Sequence, residues 1–226
     1  MFKQILFLSL ILISSFVYSQ TKQYEAPDYK IIRENIENKD SEFYYPKLMN
    51  QLKASDTLIT DDQYKYLYFG YTFQKEYHPY QISEEEKKLT KYFQSQDLKK
   101  SDYAEIIKIS NAALKEFPLN LRVMNFLAYI YHLDGNEAMS KKISHNFYGL
   151  FGAIFRSGDG KDCNSGFHVI TVSHEYVVMN VLQLETLSQS LDGNCDYLSL
   201  EKGKYKLPGV YFNITKLKEK GFGFGF

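Results

Sequence analysis

The chain has 226 residues, 27 of them basic and 27 acidic, and 44% are hydrophobic. That length allows one or two domains with a sizeable core, and the balanced charge gives no electrostatic footprint for a nucleic-acid partner. Aromatics reach 16%, as twenty tyrosines and seventeen phenylalanines with no tryptophan, a composition that suits surfaces packed with half-buried rings.

Residues 1–19 read as a secretory signal peptide. Lys3 is followed by an apolar run from Ile5 to Val17, then Val17-Tyr18-Ser19 ahead of Gln20. This is a basic start, a short hydrophobic stretch and small residues at −3 and −1. The run falls short of the roughly 20 residues that span a bilayer. No cysteine follows it directly, so lipid attachment is not expected. No transmembrane segment is expected after cleavage, and the destination is the periplasm or the medium.

Residues 20–152 carry a helical pattern. YKIIRENI (29–36) spaces Ile31, Ile32 and Ile36 as a helix does. YYPKLMNQLKAS follows, with Pro46 tolerated in a first turn. Thr60 and Gln63 form a capping box, and so do Ser83 and Glu86. Ser101 or Asp102 opens a helix that ends before Pro118, LRVMNFLAYIYHL (121–133) is another, and Gly135-Asn136 stops it. A last helix runs on through EAMSKKISHNFYGLF. Residues 102–148 resemble a tetratricopeptide repeat over about one and a half units. Tyr103, Ala113 and Pro118 fit the second half of one unit, and Leu127, Ala128, Tyr131 and Gly135 the first half of the next.

Residues 153–226 change character. A cluster of Gly, Asp and Ser at 157–166 leads into a long stretch rich in Val, Ile, Thr, Tyr and Leu. Its length exceeds a typical strand of about 5–6 residues, so it divides into strands near 167–172, 175–182 and 185–191. Turns fall near Ser173-His174 and Gln183. CDYLSL and VYFNI add two more strands around Asp192-Gly193-Asn194 and Pro208-Gly209, and ITKLKEK reads as a closing helix. The expectation is an α+β chain: tetratricopeptide-like helical hairpins followed by a small antiparallel sheet. GFGFGF at the end reads as a flexible tail.

Three kinds of site are legible. Tyr64, Tyr68 and Tyr71 lie at helical spacing, with Tyr77 and Tyr80 flanking His78-Pro79 just beyond. They read as an aromatic groove for a peptide or sugar, or as the core face of a helix hairpin, which the spacing favours. The loop and strand at 157–175 gather Asp159, Asp162, Cys163, His168, His174 and Glu175. Asp159, His168 and His174 could orient and activate a serine as in a hydrolase, yet no nucleophile elbow is present and Gly, Asp and Ser also make ordinary turns. His168 and His174 would stand about 20 Å apart on one straight strand, so no metal site is expected, nor any cofactor. Cys163 and Cys195 remain after signal cleavage. Even parity in an oxidising compartment favours a disulfide, closing a loop worth about 3–4 kcal/mol; two buried thiols are the alternative.

SGDGKDCNSGFHVITVSHEY, with YYPKLM and YKYLYFGYTFQKEYHPY upstream, resembles a family of exported bacterial proteins catalogued as domain of unknown function 4919. The resemblance implies a signal peptide, a helical front half, the Ser-Gly-Asp-Gly loop and the Phe-x-Val-Ile strand. It implies no activity, and the cysteine pair lies outside it. The leading expectation is a non-enzymatic scaffold or binding module whose partner is an envelope protein or peptide. A hydrolase working through the 157–175 loop is the alternative.

Overall fold

A computed structural model describes residues 24–95 and 97–221. The signal segment and the phenylalanines of the C-terminal tail therefore lie outside the described residues. Nine helices and four strands are present among them, and the α+β class holds. Among the described residues no helix is long and apolar enough to cross a membrane.

Helix α1 (Tyr29–Glu37) starts where the Asp28 carboxylate accepts from the amides of Lys30 and Ile31, and it buries Ile32 and Ile36. Helix α2 (Tyr45–Lys53) has Pro46 in its first turn. Helix α3 (Asp61–Gly70) opens with both bonds of the Thr60–Gln63 capping box, at 3.0 and 3.2 Å. Helix α4 (Glu84–Phe93) keeps only half of its box. Ser83 Oγ accepts from the Glu86 amide, but the Glu86 carboxylate accepts instead from Asn120 Nδ2 at 2.7 Å. Helices α5 (Tyr103–Glu116), α6 (Leu121–Leu133) and α7 (Glu137–Phe155) follow as hairpins in which each packs on the next. Gly135 turns between α6 and α7 at φ +81°, a conformation that only glycine adopts without strain.

The C-terminal part departs from expectation in three ways. The stretch predicted as a strand over 175–182 is helix α8 (Val172–Val181). It ends in a Schellman motif, with Gln183 at φ +56° and the Leu184 amide bonded to the Met179 carbonyl at 2.8 Å. β-branched residues disfavour a helix only weakly, and burial overrides that preference. His174, Glu175, Val177, Val178 and Met179 are all buried. The strand expected at 167–172 shrinks to β1 (Phe167–His168).

The sheet is mixed rather than antiparallel. With β2 (Thr186–Asp192), β3 (Cys195–Leu200) and β4 (Gly209–Asn213), its order is β1-β4-β3-β2. β2–β3 and β3–β4 run antiparallel, while β1 pairs parallel with β4 through Phe167 and Phe212. A short helix α9 (Thr215–Glu219) closes the described chain.

One core joins the two parts. It runs from Ile32 and Leu48 through Leu127 and Leu150 to Phe212 and Leu217. A ladder of rings crosses the junction: Phe147, Phe151 and Phe155 stack along α7, and Phe155 stacks on Phe167 at 5.5 Å. A smaller cluster of Leu89, Ile106, Val123 and Ile130 lies between α4, α5 and α6.

Cys163 and Cys195 form a disulfide, with Cα atoms 5.7 Å apart and a sequence separation of 32. It ties the 157–166 loop to β3. Replacing both cysteines by alanine should lower stability by about 3–4 kcal/mol on the loop-entropy model. Urea denaturation of the double variant checks this, and a loss below about 1 kcal/mol would show that the loop is held without the bond.

Candidate functional site

The loop singled out in the sequence is a self-satisfied corner. Ser157 Oγ donates to the Ile154 carbonyl at 2.6 Å and accepts from the His168 amide at 2.8 Å. A Cβ on Gly158 would come within 2.4 Å of the Ser165 carbonyl oxygen, so only glycine fits there. Asp159 accepts from Ser165 Oγ and pairs with Lys161 at 2.7 Å. Asp162 accepts from the amides of Asn164 and Ser165.

The three polar candidates do not join one another. Asp159 faces Lys161 and Ser165. His168 lies among the rings of Tyr29 and Phe69, and its burial lowers its pKa to about 4. His174 is fully buried and stacks on Phe117. The Tyr68 hydroxyl accepts from the Ile170 amide and also shares a hydrogen bond with His174 Nδ1, 2.7 Å away. The Leu119 carbonyl faces the ring, but His174 Nε2 completes no hydrogen bond. Burial pushes this imidazole down to about 3, and it is neutral. Among the described residues no group of three or more His, Cys, Asp or Glu is placed to hold a metal ion.

The tyrosine stripe turns inward. Tyr64, Tyr68, Tyr71 and Tyr77 are all buried in the main core. Tyr64 donates to Asn146 at 2.8 Å. Tyr71 and Tyr77 meet edge to face and contribute to the wall of a cleft of about 450 Å³ beside His78-Pro79. Tyr80 is partly exposed in a neighbouring hollow that Lys220 also lines.

Glu175 was legible as a polar residue but not as half of a pair. Its carboxyl faces that of Asp196 on β3, and Gln189 Nε2 donates to both, at 3.3 and 2.8 Å. Burial, then the adjoining Asp196, pushes Glu175 up to about 10. At neutral pH it holds its proton and hydrogen-bonds to Asp196. Tyr176 Oη donates to Gln189 Oε1 at 2.6 Å and links this clamp to the surface.

That surface carries a cleft lined by exposed aromatic and polar side chains. Helix α8 exposes a narrow line, Ser173, Tyr176 and Asn180, at spacings of three and four. Helix α6 faces it with Arg122, Asn125, Phe126 and Tyr129, again one helical stripe. Phe93 from the end of α4 closes one side. Together they enclose a cleft of about 720 Å³. Tyr129 is 51% exposed and Tyr176 46%. The Arg122 guanidinium lies 4.1 Å above the Phe93 ring, which meets Phe126 edge to face at 4.9 Å. Among the described residues no carboxylate lines this cleft. The reading of 175–182 as a strand hid it, although Ser173, Tyr176 and Asn180 are the polar positions of one helix face.

No curated protein matches the chain, and no solved structure does. A family model, described as a domain of unknown function (DUF4919), matches residues 30–221. That span takes in all of the described helices and strands except Tyr29, the first residue of α1, together with the acid clamp and the aromatic cleft, and the chain therefore belongs to the DUF4919 family.

Proposed function

We propose that the protein is an exported, non-enzymatic binding module that holds an envelope protein or peptide in the cleft between α6 and α8. One observation carries this reading: two large aromatic side chains, Tyr129 and Tyr176, stand about half exposed beside a stacked arginine that has no acidic neighbour in the cleft. Tyr and Arg are the residues that dominate interface energetics. Tyrosine offers a large, rigid contact at low entropic cost, and the ring beneath Arg122 orients its donors outward for a carboxylate or a carbonyl of the partner. The disulfide supports an oxidising compartment.

A photo-crosslinking aromatic residue at position 129 tests the reading in living cells, with one at Leu58, 81% exposed and outside the cleft, as control. The expected result is a discrete adduct from position 129 alone, weakened at least about tenfold by Arg122→Ala, as for a hot-spot residue. The same adducts from both positions, or none from 129, would remove the cleft from consideration.

A further inference from the structure

We infer that a second cleft, between the ends of α2 and α5 and the first half of α7, is a binding site for a single-chain fatty acid. Its volume is about 430 Å³, within the roughly 300–1,000 Å³ of small-molecule sites. Leu114, Pro118, Met124, Met139 and Ile143 make an apolar wall, and the two methionines adapt to a flexible chain. Lys53 and Lys115 line the same cleft, and among the described residues no acidic side chain does. Neither lysine has a carboxylate partner among the described residues. Ser55, at φ +52°, turns the chain away just after α2 and leaves Lys53 beside the opening.

The buried amide of the wall, Asn146, is already engaged at both ends, and this favours an alkyl chain over a peptide. Asn146 accepts from Tyr64 and donates to the Leu52 carbonyl at 3.0 Å. Asn111 donates to the Ile107 carbonyl at 2.8 Å. A peptide laid here would leave backbone groups unpaired in an apolar wall, which is costly. An alkyl chain asks for no partner, and its carboxylate meets the two ammonium groups.

Calorimetric titration of the full chain with octanoate, decanoate and dodecanoate, kept below their micellar concentrations, tests the inference. Saturable one-to-one binding is expected, tightening by about fourfold per added methylene. Dodecanol should bind more weakly than dodecanoate, and the charge reversal Lys53→Glu with Lys115→Glu should remove that preference without altering the fold. Met139→Trp should fill the cleft and abolish binding; should that variant misfold, the charge reversal still decides the matter. No saturable binding of the acids, equal affinity for all three, or binding untouched by the charge reversal would overturn the assignment. So would a short apolar peptide that binds here while the acids do not.

Discussion

Stability should peak near pH 6.5 and fall on both sides, each limb set by named buried groups. Glu175 lies fully buried against Asp196, Gln189 and Tyr176, with Tyr80 close by, and its pKa is raised to about 10. A raised pKa gives stability that is complete below the unfolded value, about 4.3, and is lost as pH rises toward the folded value. Above pH 6.5 the folded chain therefore holds one proton that the unfolded chain has released, and stability falls by about 1.4 kcal/mol per pH unit. His168 and His174 act the other way. Their pKa values drop to about 4 and about 3 because burial penalises the imidazolium. Below about 6.5 the unfolded chain takes up two protons that the folded chain refuses. Against the single proton of Glu175, the net effect between about pH 4.5 and 6.5 is again a loss of about 1.4 kcal/mol per unit, now on acidification.

Two substitutions separate the limbs. Glu175→Gln keeps a donor facing Asp196 and removes the titrating proton, so the alkaline limb should flatten and the variant's stability relative to the parent should rise by about 2–3 kcal/mol between about pH 6.5 and pH 8.5. His168→Phe puts a ring of similar shape among Tyr29 and Phe69. It should cancel the slope between about pH 4.5 and 6.5, leaving His174 and Glu175 in balance. Urea denaturation across pH 4.5–9 reads both. A parent profile that is flat, or that rises from pH 6.5 to 8.5, would mean that Glu175 is not held neutral in the folded chain.

Much of the helical part was legible because its signals are local. The apolar spacing of 29–36, the Thr60–Gln63 box and the Gly135-Asn136 stop each act within one or two turns, and α1, α3 and α6 appear where they point. Tertiary demands displaced the rest. Glu86 left its own cap for Asn120, 34 residues away. The parallel pairing of β1 with β4 joins Phe167 to Phe212, and no local pattern encodes it. Helix α8 reads as a strand because its valines favour one, and because burial on most sides erases the contrast that marks an amphipathic helix. Losing α8 also concealed the aromatic cleft and the Glu175–Asp196 clamp, since both depend on which way that segment faces. The tyrosine stripe shows the opposite relation. Its spacing favoured a core face, and its rings are buried there.

Gly149→Ala should be among the most damaging single substitutions in the chain. Gly149 lies on α7 directly beneath Tyr64 of α3, and these two helices pack together. A Cβ at position 149 would stand 2.2–2.4 Å from three carbons of the Tyr64 ring. The ring cannot yield cheaply, because its hydroxyl is tied to Asn146, which in turn holds the Leu52 carbonyl at the end of α2. Moving Tyr64 would break both bonds and leave buried polar groups unpaired. In a free helix alanine is better than glycine by about 1 kcal/mol, so any net loss here must come from the clash. Overpacking of this kind costs about 1–3 kcal/mol, and the broken hydrogen bonds add to it. A double-mutant cycle isolates the cause. On a Tyr64→Leu background the added methyl meets a shorter and more compliant side chain, so Gly149→Ala should become neutral or mildly stabilising. A cost that persists unchanged without the tyrosine ring would place the constraint elsewhere on α7.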